Sequence, residues 1–300
     1  MAEVVPLPKA RALPSRRDRP ARRREDPVAD ALSYLRRRLS GDYEVDEFGF
    51  DPDLTSSVLA PLVRLLHERW WRVDWVAMEN VPLDGPVLLV ANHAGTLPWD
   101  AIVLKFGILD RHAAHRHVRL LAADLVFRMP FVGALARKSG NTLACEEDAL
   151  RLLEGNEVLG VFPEGFKGLG KPWQERYRLQ RFGRGGFIEL ALRAKATIVP
   201  VAVVGSEEIY PLVSRARPLA RVMGLPYFPI TPFFPWLGPL GMIPLPSKWI
   251  VEFGEPIDTD RFAEDAWQDG LTVLDLTERV REEIQAMLQR NLVARKSVFR

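Results

Sequence analysis

The stretch VLLVANHAGTLPWDAIVL (residues 87–104) decides how the chain folds. Val87 to Ala91 form a short unbroken apolar run, which reads as a strand buried on both faces. The run then breaks into Asn92, His93 and Gly95, and helical apolar spacing begins after Pro98. Gly95 permits a tight or left-handed turn, and Pro98 suits the start of a helix. Asp100 falls in that helix's first turn, where a carboxylate complements the helix dipole. The stretch is therefore a strand, a polar turn and a helix.

The same order repeats along the chain. HVRLLAA (117–123), EVLGVFPEG (157–165), TIVPVAVVG (197–205) and KWIVEFGEPI (248–257) read as strands. EEDALRLLEG (146–155) and GRGGFIELALRAKA (183–196) read as helices, and PFVGALARKSG (130–140) as helix or turn. Short apolar strands alternating with helices predict an α/β fold, a mostly parallel sheet covered by helices on both faces. In such a sheet the functional site lies beyond the carboxyl ends of the strands. A C-terminal amphipathic helix is expected over 272–296, with Val273, Leu276, Val280, Ile284 and Leu288 on one face.

Towards the amino end, residues 28–77 predict an N-terminal helical extension. One short helix runs from Asp26 and Pro27 to near Gly41, and a longer one begins near Thr55. Leu59, Leu62, Val63 and Leu66 share a face of the second helix, and Trp70 and Trp71 end it. That face either packs on the core or lies in a membrane interface, with Arg64, Arg69 and Arg72 at its polar edge. Residues 1–27 are rich in Arg and Pro with little apolar surface, and are expected to form a disordered basic tail. Residues 78–300 are expected to be the domain that carries the site.

The chain of 300 residues is 47% apolar with a formal net charge of +2, which provides no global field for nucleic acid. Cys145 is the single cysteine, so no internal disulfide and no thiolate cluster is available, as suits a reducing cytoplasm. VMGLPYFPITPFFPWLGPLGMIPLPS (222–247) has no charged residue but seven prolines, so it cannot form a spanning helix. It is expected on a protein surface or at a membrane interface, as a candidate groove for an apolar chain. HAAHRH (112–117) has no acidic ligand and alternates faces on a strand, so no metal site is expected there.

Two strand ends carry the chemistry. His93 alone could be a satisfied polar residue, and Asp100 a helix-dipole complement. In the functional reading of the pair, His93 would be a base and Asp100 would hold its ring in one tautomer. Phe162-Pro163-Glu164-Gly165 could be a plain turn, but the loop after it carries Lys167, Lys171, Arg176, Arg178, Arg181 and Arg184. Those cations suit a solvated loop or a clamp for an anionic group.

Taken together, these residues resemble the glycerophospholipid acyltransferase family, of the lysophosphatidate acyltransferase type. The resemblance rests on Asn92-His93 with Asp100, on Pro130, Gly133 and Gly140, on Phe162-Pro163-Glu164-Gly165 and on Pro200, covering roughly residues 76–256. It implies a peripheral O-acyltransferase at the cytoplasmic face of a membrane. His93 would be the general base and Asp100 its partner. Asn92, Phe162, Pro163, Glu164, Gly165, Lys167, Arg176, Arg181 and Arg184 would bind substrate, Glu164 contacting acceptor hydroxyls or a basic neighbour. The implied partners are a lipid acceptor, a membrane surface, and acyl-CoA or acyl carrier protein as donor, with no cofactor and no nucleic acid. The same site with water as acceptor would be a thioesterase, and without turnover a lipid-binding protein. Two departures matter. Six residues separate His93 from Asp100 where the family has four, so residues 94–97 must fold back over the helix start. Glu146, Glu147 and Asp148 follow the second block, which weakens the case for a phosphorylated acceptor and leaves room for a neutral one such as a diacylglycerol.

Overall fold

The computed structural model describes residues 27–299. The expected basic tail therefore lies outside the described residues, apart from Pro27. The chain divides between Asp42 and Tyr43 into two units. In the first, α1 (Pro27–Ser40) leaves Leu32, Leu35 and Leu39 exposed and sets the Arg38 guanidinium over the Tyr34 ring. The longer helix, expected within an N-terminal extension over 28–77, falls in the second unit with the sheet.

That helix begins at α2 (Pro52–Leu54), capped by the Asp51 carboxylate, which accepts from the Leu54 N–H. A π-helical stretch (Thr55–Leu59), α3 (Ala60–Leu65) and a second π stretch (Leu66–Trp70) continue it. A π turn takes one residue more than an α turn and so shifts the phase of everything after it. Leu59 and Val63 pack against Phe106 and Leu109, whereas Leu62, expected on the same face, is exposed. Arg64 pairs with Asp110, and Arg72 donates to the carbonyls of Pro246 and Phe299. This helix is thus docked on the domain through part of the face and polar edge that the sequence offered to a membrane.

The sheet contains β1 (Asp74–Val76), β2 (Val87–Ala91), β3 (Val118–Ala122), β4 (Asn141–Leu143), β5 (Val158–Val161), β6 (Thr197–Val204) and β9 (Ile250–Phe253). Between β6 and β9, β7 (Ser214–Arg215) and β8 (Pro229–Ile230) form a small separate ribbon. The strand order is β1-β9-β6-β2-β5-β3-β4, and every pairing is parallel except β6 with β9. The helices are α4 (Trp99–Arg111), α5 (Asp124–Arg128), α6 (Val132–Lys138), α7 (Glu146–Glu154), α8 (Phe166–Leu169), α9 (Gly186–Arg193), α10 (Arg217–Val222) and α11 (Gly270–Ala294).

Strand periodicity explains the two cores. Leu88 and Val90 face Leu152 of α7, Ile188 of α9 and Val280 and Ile284 of α11. Val87, Leu89 and Ala91 face Val103, Leu104 and Ile108 of α4, beside Trp71 and Trp249. Burial of β2 on both sides is why its sequence shows no polar alternation. Because β2, β3, β5 and β6 run parallel, their carboxyl ends share one edge, and the 205–248 excursion leaves from and returns to that edge. No helix among the described residues is long and apolar enough to cross a membrane.

Candidate active site

At the end of β2 the side-chain amide of Asn92 continues the sheet. Its Oδ1 accepts from the Val203 N–H at 2.7 Å and its Nδ2 donates to the Val203 carbonyl at 3.0 Å. This extends the β2–β6 ladder past Ala91, so His93 leaves the sheet from a fixed point. The following loop doubles back. Gly95 has φ +96°, and a Cβ there would lie 2.5 Å from the Ser206 carbonyl oxygen, so only glycine fits. Thr96 is also at positive φ.

The fold-back brings Asp100 to His93. The His93 Nδ1 lies 2.8 Å from Asp100 Oδ2, which also accepts from the Ala94 N–H at 2.7 Å, while Oδ1 accepts from the Ala101 N–H. Asp100 is fully buried and His93 nearly so. Seven positions along a straight helix would separate the pair by about 10 Å; with Asp100 in the first turn of α4 and the loop folded over it, they touch. An Nδ1–H donated to the carboxylate leaves Nε2 as the basic atom of the ring.

The β5 end closes on this dyad. The Phe162 ring packs 4.5 Å from the His93 ring, centroid to centroid. Glu164 is buried: its Oε1 accepts from the His93 N–H at 2.9 Å and its Oε2 from the Gln180 N–H at 2.6 Å. Gly168 sits so close to His93 that a Cβ would lie 2.4 Å from the His93 carbonyl oxygen. Behind Glu164, Lys171 reaches Glu164 at 3.4 Å and Glu207 at 3.0 Å, and Glu207 also accepts from the Tyr177 N–H. Tyr227, from the excursion, donates its hydroxyl to the Thr96 carbonyl at 2.5 Å.

The structure therefore brings together His93, Asp100, Asn92, Phe162 and Glu164. Two expectations change. Asn92 and Glu164 were expected to meet substrate, but both are buried with their polar atoms held by backbone; they position the loop, and Glu164 meets the basic neighbour Lys171. Pro163 is half-buried, and Gly165 is exposed at φ +53°. Lys167, Arg176, Arg181 and Arg184 are exposed, with the Arg176 guanidinium over the Trp173 ring at 4.3 Å. A small cavity bordering the loop is lined by Gly95, Thr96, Leu169, Lys171, Arg176 and Tyr210. Glu207, Gly168 and Tyr227 were not singled out by sequence reasoning. The signal for Glu207 was present: in VVGSEE (203–208), as in VFPE (161–164), an acid closely follows a buried strand.

Three further groups of side chains have local settings. The His112 ring meets the Val81 carbonyl and the His115 ring the Leu109 carbonyl, and no group of three metal-ligating side chains occurs among the described residues. Glu146, Glu147 and Asp148 form the first turn of α7, where they complement its dipole. Burial, with Asp148 and Glu147 nearby, raises the Cys145 thiol, which makes it a poor nucleophile.

One buried cation cannot neutralise two buried carboxylates. Burial alone would lower the Lys171 pKa, but Glu207 and Glu164 outweigh it and the net shift is upward. Burial, with Glu164 adding repulsion against the pull of Lys171, pushes Glu207 up to about 7 from 4.5. The folded state thus holds a proton that the unfolded chain releases above the ordinary glutamate range. This contribution to stability is complete below pH about 4.5 and is lost as pH rises through about 7. Thermal melts from pH 5 to 8 are expected to show Glu207→Gln losing less stability with rising pH than the parent protein. Parallel curves for the two proteins would contradict this.

Comparison with known proteins places these features in context. The Acyltransferase family model matches residues 72–204, which span both the His93 loop and the Glu164 loop. An uncharacterized protein of Mycobacterium tuberculosis is 54% identical over 272 residues, covering 91% of this chain and 76% of its own. A chicken (Gallus gallus) protein described as "DGAT1/2-independent enzyme synthesizing storage lipids" is 25% identical over 263 residues, covering 87% and 72%. The crystal structure of the 1-acyl-sn-glycerophosphate (LPA) acyltransferase PlsC from Thermotoga maritima shares the fold. Its TM-score is 0.53 at 17% identity, covering 90% of this chain and 98% of that one.

Proposed function

The chain belongs to the acyltransferase family, and from that premise we propose that it is a peripheral membrane O-acyltransferase. It moves a fatty acyl group from a thioester, acyl-CoA or acyl carrier protein, to a hydroxyl of a glycerolipid or related lipid alcohol. The observation that carries this reading is the 2.8 Å contact between His93 Nδ1 and Asp100 at the carboxyl edge of the sheet. His93 Nε2 takes the proton of the acceptor hydroxyl while its oxygen attacks the thioester carbonyl. A C–O bond forms and the carbonyl oxygen becomes an oxyanion. As the oxyanion collapses, the C–S bond breaks, and the departing thiolate recovers the proton from the imidazolium. Asp100 holds the ring in one tautomer and stabilises the imidazolium charge. The step requires neither a covalent enzyme intermediate nor a resident cofactor, and the raised Cys145 thiol accords with that.

The acceptor is proposed to be neutral, such as a diacylglycerol. The chicken relative, described as synthesizing storage lipids, supports this. The test is incubation of the purified protein with labelled acyl-CoA and a panel of lysophosphatidate, monoacylglycerol and diacylglycerol. Label in a neutral glyceride is the expected result. Label in phosphatidate alone would overturn the neutral acceptor, and label in free fatty acid alone would make the protein a thioesterase.

Tyr227 provides a further check. Burial, and then the charge of Asp100, raises its pKa, so its hydroxyl remains a donor to Thr96 at any working pH. Tyr227→Phe removes one hydrogen bond to the loop, worth about 1 kcal/mol. It is expected to lower kcat/KM by roughly fivefold, with KM changing more than kcat if the loop only frames the acceptor.

A further inference from the structure

We propose that the carboxyl edge of the sheet docks on an anionic bilayer through two apolar projections that flank the His93 loop. This inference rests on the reading that the acceptor is a lipid. The first projection is the corner between α5 and α6. Phe131 there is 93% exposed, with Val132 and Leu135 exposed beside it. Its backbone sits at φ +62°, a region that bulky residues rarely enter. A tight corner holds the ring out: a Cβ on Gly133 would lie 2.5 Å from the Phe127 carbonyl oxygen. The second projection belongs to the 205–248 excursion, where Val222, Trp236 and Leu240 are 84%, 73% and 68% exposed. Clusters of bulky apolar side chains held this far into water mark surfaces that meet a partner.

Topology roots both projections at the sheet edge that carries the site. α5 follows β3, and the excursion follows β6. In the strand order, β3 and β6 stand on either side of the β2–β5 pair. At about 4.8 Å per strand, their ends are roughly 14 Å apart across the site. A surface that engages both projections covers the mouth between them, so a lipid acceptor need not leave the bilayer to reach His93.

Charge selects the occupant. From Ile209 to Val251 the chain has no acidic residue, while Arg215, Arg217 and Arg221 are exposed. A second copy docking face to face would set these arginines against one another with no acid of the segment to meet them. A surface of anionic lipid headgroups complements them, and each such cation adds to membrane attraction within a Debye length.

The test is flotation of the full chain with vesicles of phosphatidylcholine alone and of phosphatidylcholine mixed equally with phosphatidylglycerol. Three variants are compared: Phe131→Ser with Trp236→Ser and Leu240→Ser; Arg215→Gln with Arg217→Gln and Arg221→Gln; and His93→Ala. The parent is expected to float with the anionic vesicles and to lose binding as salt rises. The apolar and the arginine variants, verified as folded by circular dichroism, are expected to bind at least tenfold more weakly, and the arginine variant to lose its salt dependence. His93→Ala is expected to float like the parent, so binding is read apart from catalysis. The docking proposal is overturned if either surface variant floats like the parent. It is also overturned if the parent binds neither vesicle, or if the patch proves to be buried in a dimer that the apolar variant dissociates. Vesicle binding with no acyl transfer to any alcohol would instead sink the proposed function and leave the docking surface standing.

Discussion

His93→Ala is expected to lower kcat for acyl transfer by about 10³-fold or more while leaving the fold in place. Removal of a positioned general base typically costs 10²–10⁴-fold, and each factor of ten corresponds to about 1.4 kcal/mol of transition-state stabilisation. The upper part of that range applies because the ring is set by three independent contacts. Asp100 holds Nδ1, Phe162 packs on the ring, and Glu164 holds the backbone N–H of the same residue. KM for both substrates is expected to change little, because the imidazole acts on a proton in flight rather than on bound groups. The check is steady-state kinetics with labelled acyl-CoA, together with a melting curve. Equal kcat in variant and parent would remove His93 from the mechanism.

Lys171→Met should have the largest effect on stability. It leaves Glu164 and Glu207 buried without their shared cation, and breaking a buried ion pair from one side costs about 3–5 kcal/mol. For a chain of this size that corresponds to a melting temperature lower by about 10 °C. Activity is expected to fall as well, because Glu164 carries the His93 N–H and the Gln180 N–H on its two oxygens. The pH dependence distinguishes this account from loss of packing alone. Without Lys171 the burial of Glu207 goes unopposed by its cation, so its carboxyl is pushed further up, stabilises the fold when protonated and ceases to as pH rises. The variant should therefore recover part of its lost stability near pH 5 and lose most near pH 8. A deficit independent of pH would mean that the ammonium contributes only volume.

These two predictions differ in how far the sequence leads to them. The His93 loop was legible because its signals are local. A strand buried on both faces cannot show polar alternation, so Val87–Ala91 stood out, and Gly95 and Pro98 allowed the turn that the seven-residue offset to Asp100 required. The Lys171 cluster was not legible, because Glu164 and Glu207 follow two strands, β5 and β6, whose ends meet only when both flank β2. Glu164 was read as meeting acceptor hydroxyls or a basic neighbour; Lys171 is that neighbour, but nothing nearby in sequence reveals that Glu164 also holds the N–H of residue 93. Asn92 misled in the same way, since its partner Val203 lies on a strand 111 residues away. The helix from Pro52 was placed nearly correctly, and Leu59, Val63 and Leu66 pack inward as expected; Leu62 alone of that face is exposed, in a helix whose turns include π stretches.

His93 and Asp100 are held to act as a single unit, and a double-mutant cycle on acyl transfer tests this most directly. Residual rates of labelled ester formation would be measured for His93→Ala, Asp100→Ala and the double variant. If the carboxylate works only through the imidazole, the double variant is predicted to be no slower than His93→Ala alone. Losses that multiply, with Asp100→Ala slowing a protein that already lacks His93, would contradict the account.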